Sequence, residues 1–316
     1  MKTRLLQPSP VGMETAREIL DSGGLVAIPT ETVYGLAANA LNENAVRRVF
    51  EAKSRPPSNP LIVHVSDWNS TQNLIVASNQ EAKLLTDAFW PGPLSIVLPR
   101  STNVSDLITA GGNTVAIRSP NHPVALELIR ICGFPLVAPS ANRSSGISPT
   151  RIEHVFEELE GKIDAVLDGG PCEVGIESTV LDLTVSPPCI LRPGAISSEE
   201  ISKVLNQNVT HDFAVGNDAL RSPGILGKHY SPKTPLFCIE SPMSLAQAEV
   251  LVTFYKHPNA VVISENPLIA AQELYKVLRE LDTDELNAIY VVLPPDTDEW
   301  HAIRNRLLRA QGSLTS

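Results

Sequence analysis

Apolar residues recur along most of this chain at one of two spacings. In METAREILDSGG (residues 13–24) they fall three and four apart and stop at a glycine pair, which predicts an amphipathic helix. The continuous apolar run LVAIP (25–29) that follows predicts a buried strand. The same reading gives helices over 43–55, 79–93 (stopped by a Pro-Gly-Pro turn), 122–133 and 150–161, and strands at LIVHV (61–65), LSIVLP (94–99), TVAIR (114–118) and PLVAPS (135–140). Three more strands, AVLDGG, STVLDLT and CILRPG, come before a helix over 197–205, where Ser197 and Glu200 have capping-box spacing. Strands outnumber helices and the β-α-β alternation is broken. The pattern therefore predicts an α/β domain with a mixed, twisted sheet rather than a doubly wound nucleotide fold.

The periodicity lapses between about 206 and 235, where NQNVTHDFAVGNDALRSPGILGKHYSPKTP is rich in turn formers and reads as a long linker. Beyond it the pattern becomes regular. PLFCI, AVVIS and NAIYVVLP predict strands, and residues 244–258, 267–281 and 298–310 predict helices, so three β-α units make a small Rossmann-like domain. No G-x-G-x-x-G is present, so no dinucleotide is assigned to it.

Composition narrows the class. The longest apolar runs fall far short of a membrane span, and the first 20 residues carry no signal-like apolar core, which points to the cytoplasm. The formal charge of −10 argues against a long polyanion as main partner but leaves room for a local basic pocket. Cys132, Cys172, Cys189 and Cys238 are far apart with no C-x-x-C, so buried, reduced thiols are expected rather than zinc or redox chemistry.

Four clusters carry candidate chemistry, each at a strand end or in a loop. PTETVYGLAANA supplies Thr30, Thr32, Tyr34 and Gly35. AKSRPPSNPLIVHV places Lys53, Arg55 and the donor Asn59 around three prolines, with His64 in the strand that follows. Two cations so closely held suit an anion, although at a helix end they would also complement the helix dipole. Arg118, closing an apolar strand, needs an anion, either a side chain or a ligand. Ser140, Asn142 and Ser148 form a Ser/Asn/Gly loop suited to phosphate, without a Walker G-K-[ST]. Ser178 and Thr179 open a strand, and Arg192 closes one. Together these residues offer four cations, many hydroxyls and hardly any carboxylate, as a site for a polyanion such as ATP beside a small polar molecule. No nucleophile–base pair is evident, so covalent catalysis is not expected.

PTETVYGL, the K-x-R of AKSRPPSNPLIVHV, WPGPLSIVL, the S-x-N of APSANRSSGISPT, GIESTVLDL and LRPGAI, in this order, strongly resemble the Sua5/YrdC family of L-threonylcarbamoyladenylate synthases. SPGILGKHYSPKTPL and the appended unit resemble its two-domain Sua5 form. The resemblance implies a YrdC-like domain over 9–205, a linker or lid over 206–234 and a Sua5 C-terminal Rossmann-like domain over 235–316. It implies that L-threonine, bicarbonate or CO2, and ATP with Mg2+ become threonylcarbamoyl-AMP and pyrophosphate. A separate transferase complex would use the product to modify adenosine 37 of tRNA, with tRNA an indirect partner only. Carried over by position, Thr32, His64, Arg118, Ala138 and Ser178 would hold threonine. Lys53, Arg55, Asn59, Thr114, Ser140, Asn142, Ser148 and Arg192 would surround ATP, with Lys53 and Arg55 acting electrostatically, and Tyr230 would let the linker cover it. No protein ligand to the metal is implied. The competing reading is a non-catalytic RNA-binding module using the same basic cavity. It is disfavoured by the acidic total and by an aromatic content of 5%, because single-strand binders stack bases on rings.

Overall fold

The computed structural model describes residues 2–212, 229–243, 247 and 249–311. A mixed eleven-stranded sheet occupies the first 212 residues. Its order is β1 (Arg4–Leu6), β8 (Ala165–Leu167), β2 (Val26–Ile28), β3 (Gly35–Asn39), β7 (Leu136–Val137), β4 (Ile62–His64), β6 (Thr114–Arg118), β5 (Leu94–Pro99), β9 (Thr179–Asp182), β10 (Cys189–Arg192) and β11 (Thr210–His211). Parallel pairs such as β4–β6 and β5–β9 sit among antiparallel ones such as β2–β3, β5–β6 and β9–β10.

The apolar strands bury both faces. Leu25 and Ala27 join one core cluster while Val26 and Ile28 join another, as the two-residue period of a strand requires. Helices α1 (Pro10–Asp21) and α5 (Pro123–Cys132) close the second cluster through Leu20 and Leu128. Helices α2 (Glu43–Lys53), α3 (Gln80–Phe89), α6 (Ile152–Leu159) and α7 (Ser198–Leu205) close the first through Val49, Leu85, Val155 and Ile201. The capping box of α7 forms as its sequence predicts, with Ser197 and Glu200 each satisfying the other's backbone N–H. The short α4 (Asp106–Thr109) escaped the periodicity, as did β1, β3 and β11. None of the four cysteines is in a disulfide, and of the four only Cys189 is buried.

The linker is shorter than its composition suggests. Asn206 caps α7 with a left-handed φ of 51°, and β11 then pairs parallel with β10, so the large sheet extends to residue 211. Residues 213–228, which include SPGILGK, lie outside the described residues.

The C-terminal unit is a four-stranded parallel sheet in the order β12 (Leu236–Ile239), β15 (Ala288–Val292), β13 (Glu249–Thr253) and β14 (Val261–Val262), with helices α8 (Pro267–Leu281) and α9 (His301–Ala310). The helix expected over 244–258 is not formed where that segment is described, because residues 249–253 make β13. Hydrogen bonding to strands on both sides and burial of Leu251 and Val252 outweigh the local helical period.

The two units share one apolar cluster, in which Val33, Ile147 and Ile176 of the first pack with Leu274, Tyr275 and Ile303 of the second. Their backbones approach closely at Gly175, whose φ is +79°. A Cβ there would lie 2.5 Å from the Ala271 carbonyl oxygen and from the Gln272 Cα, both on α8. Gly170 has the same φ but open space where its Cβ would go, so comparing the two separates backbone strain from domain contact. Gly175→Ala should destabilise by more than about 1 kcal/mol and by clearly more than Gly170→Ala. Equal melting temperatures for the two variants would contradict this packing.

Candidate active site

The ends of six strands and the loops beside them converge on one cavity. β4 and β6 run parallel with His64 in register with Arg118, so both side chains emerge at the C-terminal ends of adjacent strands. The segment after β2 turns on Thr30, whose Oγ1 accepts from the Val33 N–H at 3.2 Å and brings Thr32 inward. β7 leads into Ala138 and Ser140, and Ser178 precedes β9. The pairing of β9 and β10 shifts register between Ile190 and Arg192, and irregularities of this kind re-aim a side chain. The turn after β10 lies so close that a Cβ on Gly194 would sit 2.2 Å from the Thr179 nitrogen, so only glycine fits.

The cavity has a volume of about 50 Å³. Thr32, Arg55, His64, Arg118, Ala138, Ser140, Ser178, Arg192 and Tyr230 line it, so most of the residues expected from the sequence meet here. Val33, Ile62, Pro139, Glu177 and His229 complete the wall and were not expected. Lys53, Asn59, Asn142 and Ser148 stand behind the wall, each bonded to it or to its loops. Thr114 is not brought to the cavity. It opens β6, four residues before Arg118, which is about 13 Å along a strand.

The cations are held in different ways. Ser54 ends α2 with a left-handed φ of 51°, turning the chain so that both Lys53 and Arg55 are buried rather than solvated. Lys53 Nζ donates to the Ser140 and Asn142 carbonyls at 2.5 Å each, tying the Ser/Asn loop to α2. Burial, aided by Arg55, pushes its pKa well below the usual lysine value. Arg55 donates to the Asn59 carbonyl (3.1 Å), Asn59 Oδ1 (2.6 Å) and the Pro60 carbonyl (2.7 Å). Asn59 thus accepts through both oxygens, and the proline turn is a holder for Arg55. Burial pushes Arg55 down to about 9, which leaves it charged at neutral pH. Arg192 donates to the Ser178 carbonyl (3.1 Å) and to Ser178 Oγ (3.0 Å), which also bonds Ser95 Oγ at 2.8 Å.

Carboxylates are the main correction to the sequence reading. Arg118 lies 2.6 Å from Glu31, both side chains being 5% exposed or less, and donates to Thr32 Oγ1 (2.9 Å) and the Gly92 carbonyl (3.1 Å). The anion that Arg118 requires is thus, in this structure, a side chain. The contact is close but poorly angled for a hydrogen bond, and both Glu31 oxygens lack an aligned donor. Glu177 is the second buried carboxylate. It accepts from Ser148 Oγ at 2.5 Å and from Arg306 of α9 at 3.0 Å. Burial alone would raise its pKa, but Arg306, Arg192 and Ser148 outweigh that and hold it near 2. A glutamate inside an apolar run carries the same demand for a partner as an arginine does. PTETVYGL and GIESTVLDL therefore held the signal for both.

Several buried polar atoms around the cavity have no protein partner: His64 Nδ1, Asn142 Oδ1, His229 Nδ1 and Tyr230 Oη. Buried polar atoms left without partners are uncommon, and a cluster of them around a cavity is what a polar ligand requires. Tyr230 has a φ of 62° and is buried, with its ring stacked on Tyr275 at 6.1 Å. Among the described residues no group of three or more His, Cys, Asp or Glu is placed to hold a metal. Glu31 and Glu177, the buried carboxylates beside the cavity, are engaged by arginine, so a resident magnesium does not fit there.

Comparisons with known proteins agree with this arrangement. The Sua5/YciO/YrdC family model, described as telomere recombination, matches residues 18–194. A model described as the threonylcarbamoyl-AMP synthase C-terminal domain matches residues 196–312. The chain belongs to the Sua5/YciO/YrdC family. A threonylcarbamoyl-AMP synthase of Pyrococcus abyssi is 40% identical, covering 94% of this chain and 93% of its own. One from Bacillus subtilis is 41% identical, covering 94% and 92%. The crystal structure of P. abyssi Sua5 complexed with L-threonine superposes with a TM-score of 0.91 at 37% identity, covering 99% of this chain and 98% of that one. These matches run through both sheets of the chain and over more than nine-tenths of each relative's own length.

Burial pushes His64, helped by Arg118, and His229 down to about 3, so both rings are neutral when folded. In the unfolded chain they titrate near 6.5, so protons are taken up on unfolding below that pH. Their contribution to stability is full above about 6.5 and falls as pH drops toward 3. Melting His64→Asn at pH 7 and pH 5 should show a smaller drop than the wild type shows. An unchanged drop would contradict a buried neutral imidazole.

Proposed function

We propose that this protein is a threonylcarbamoyl-AMP synthase, which makes its product and pyrophosphate from L-threonine, bicarbonate or CO2, and ATP. The observation that carries the reading is the enclosed cavity. A neutral histidine, hydroxyls and three arginines, Arg55, Arg118 and Arg192, line it, and Glu31 lies 2.6 Å from Arg118. The names of the relatives and the threonine complex of P. abyssi Sua5 support the product and the amino acid.

Threonine is a zwitterion, so its carboxylate needs a cation and its ammonium an anion or acceptor. Arg118 and Glu31 offer that pair side by side. In this reading the threonine carboxylate takes a place at Arg118, while Thr32, Ser178 and the backbone at Ala138 hold the rest of the molecule. The unpartnered His64 Nδ1 stands as a neutral acceptor facing the amine. ATP lies toward Arg55 and Arg192, bounded by the Ser140–Ser148 loop that Lys53 fixes. Mg2+ enters with ATP as part of the substrate.

The ammonium gives up a proton to solvent, and the neutral amine adds to CO2 with loss of a second proton to water to give a carbamate. A carbamate oxygen then attacks the α-phosphorus in line as pyrophosphate departs. The chain's part is to orient two small molecules, which is worth roughly 7–11 kcal/mol in favourable cases, and to exclude water from a labile carbamate and mixed anhydride. Pockets that hold larger ligands enclose about 300–1,000 Å³. At about 50 Å³ the cavity is drawn tight under Tyr230, and admitting ATP requires that segment to lift. Cations this deeply enclosed do not suit a polynucleotide. The product serves tRNA modification through a transferase, which would be a separate partner. No helix among the described residues is long and apolar enough to cross a membrane.

Pyrophosphate release from ATP should require both threonine and bicarbonate. Arg55→Ala should raise the KM for ATP, and Arg118→Ala the KM for threonine, each by on the order of 10- to 100-fold, the loss of one charged hydrogen bond. Release without bicarbonate would indicate simple amino-acid adenylation. Wild-type kinetics in both variants would remove the assignment of the cavity.

A further inference from the structure

The C-terminal domain reaches the cavity wall through two buried side chains, Arg306 and Tyr275. Arg306 of α9 is almost fully buried, donating through Nε to the Glu177 carboxylate at 3.0 Å and through Nη1 to the Pro193 carbonyl at 2.5 Å. Its Nη2 donates to the Glu177 carbonyl at 3.3 Å. Its guanidinium also lies 5.3 Å from the centroid of the Tyr230 ring, a cation–π distance. From α8, Tyr275 Oη donates to the same carboxylate at 2.9 Å.

Glu177 stands in the cavity wall, directly before Ser178. A carboxylate there is a liability in a site that receives phosphates, since like charges in a poorly hydrated cavity repel strongly. Yet the same carboxylate holds Ser148 Oγ and so anchors one end of the Ser/Asn loop. Its presence is compatible with an anionic substrate only while its charge is matched from outside the cavity.

We infer that Arg306, assisted by Tyr275, is a positioning residue for the nucleotide: it matches Glu177 so that the Ser148 loop stays pinned without repelling phosphate, and it seats Tyr230 over the cavity. This rests on the proposed function. The C-terminal domain is then part of the active site, although neither residue touches the reacting atoms.

Four full-length variants test this: Arg306→Met, Arg306→Lys, Glu177→Gln and the double variant Glu177→Gln/Arg306→Met. Pyrophosphate release is measured against ATP concentration at several pH values, and threonine binding by calorimetry without ATP. Arg306→Met should raise the KM for ATP by about 10- to 100-fold and change threonine affinity much less. Around Glu177 stand Arg306 from α9, Tyr275 from α8, Arg192 from β10, His229 beside Tyr230, and Ser148. Removing Arg306 frees the Glu177 pKa to rise, so in Arg306→Met the KM for ATP should improve as pH falls from 8 to 6, relative to wild type. The double variant should recover most of the loss, because it leaves no unmatched carboxylate, and Arg306→Lys should recover part. Glu177→Gln alone keeps an oxygen that can accept from Ser148 Oγ while adding net positive charge, and should lower the KM for ATP.

An Arg306→Met enzyme with an unchanged KM for ATP, or a double variant no better than it, overturns the inference. So does a parallel loss for ATP and threonine, which is the mark of a merely structural residue. If Arg306→Met fails to fold, Glu177→Gln and Arg306→Lys still decide, since an equal or raised KM for ATP in the first contradicts the charge matching. A wild type that releases no pyrophosphate with all substrates overturns the functional reading itself, and this inference with it.

Discussion

A charge removed from water must meet an opposite charge or a set of oriented dipoles, and the site is arranged around that demand. Lys53, Arg55, Arg118, Arg192 and Arg306 are all buried within one region. Lys53 and Arg55 are met by carbonyls and an amide oxygen, Arg118 by Glu31, and Arg306 by Glu177. The two solutions differ in consequence. Dipoles satisfy geometry while leaving net positive charge in place, whereas a carboxylate cancels it. Arg55 thus keeps its charge toward the cavity, and Arg118 stands in the cavity wall with Glu31 2.6 Å from it. The first suits a phosphate and the second a zwitterion.

The same demand binds the two domains. Glu177 belongs to the large sheet's unit, yet its partners Arg306 and Tyr275 come from the smaller one. The shared apolar cluster and the close approach at Gly175 hold these groups in register. Arg279 of α8 adds a partly exposed ion pair to Glu157 and a buried-side contact to Glu158 and the Ile147 carbonyl. Exposed pairs of the first kind contribute little on their own. Breaking the Glu177 pair is different in kind, because it strands a buried charge.

Much of this was legible in the chain itself. LSIVLP and TVAIR are strands over the residues their apolar runs mark, and Ser197 with Glu200 makes its capping box, because local chemistry and tertiary context agree there. Residues 249–253 failed that test, since their neighbours in the parallel sheet decide their state and no local period reports neighbours. The converging residues of the cavity were visible as polar groups at strand ends. Their partners were not: Lys53 was expected to face phosphate and instead faces carbonyls, and Glu31 and Glu177 were passed over inside motifs already singled out. Thr114, assigned by its position in a motif, opens β6 at the far end from Arg118 and outside the cavity lining. Pairing across sequence distances of 86 and 129 residues, as for Arg118 with Thr32 and Arg306 with Glu177, is set by the fold and cannot be read from spacing.

The most direct test of the account is the chemical identity of the product. The protein would be incubated with ATP, Mg2+, threonine and 13C-labelled bicarbonate, quenched quickly, and the nucleotides examined by mass spectrometry. The account predicts an AMP adduct bearing a threonylcarbamoyl group with one 13C in its carbamate carbon. An unlabelled threonyl-AMP, or AMP with no adduct at any time point, would contradict it.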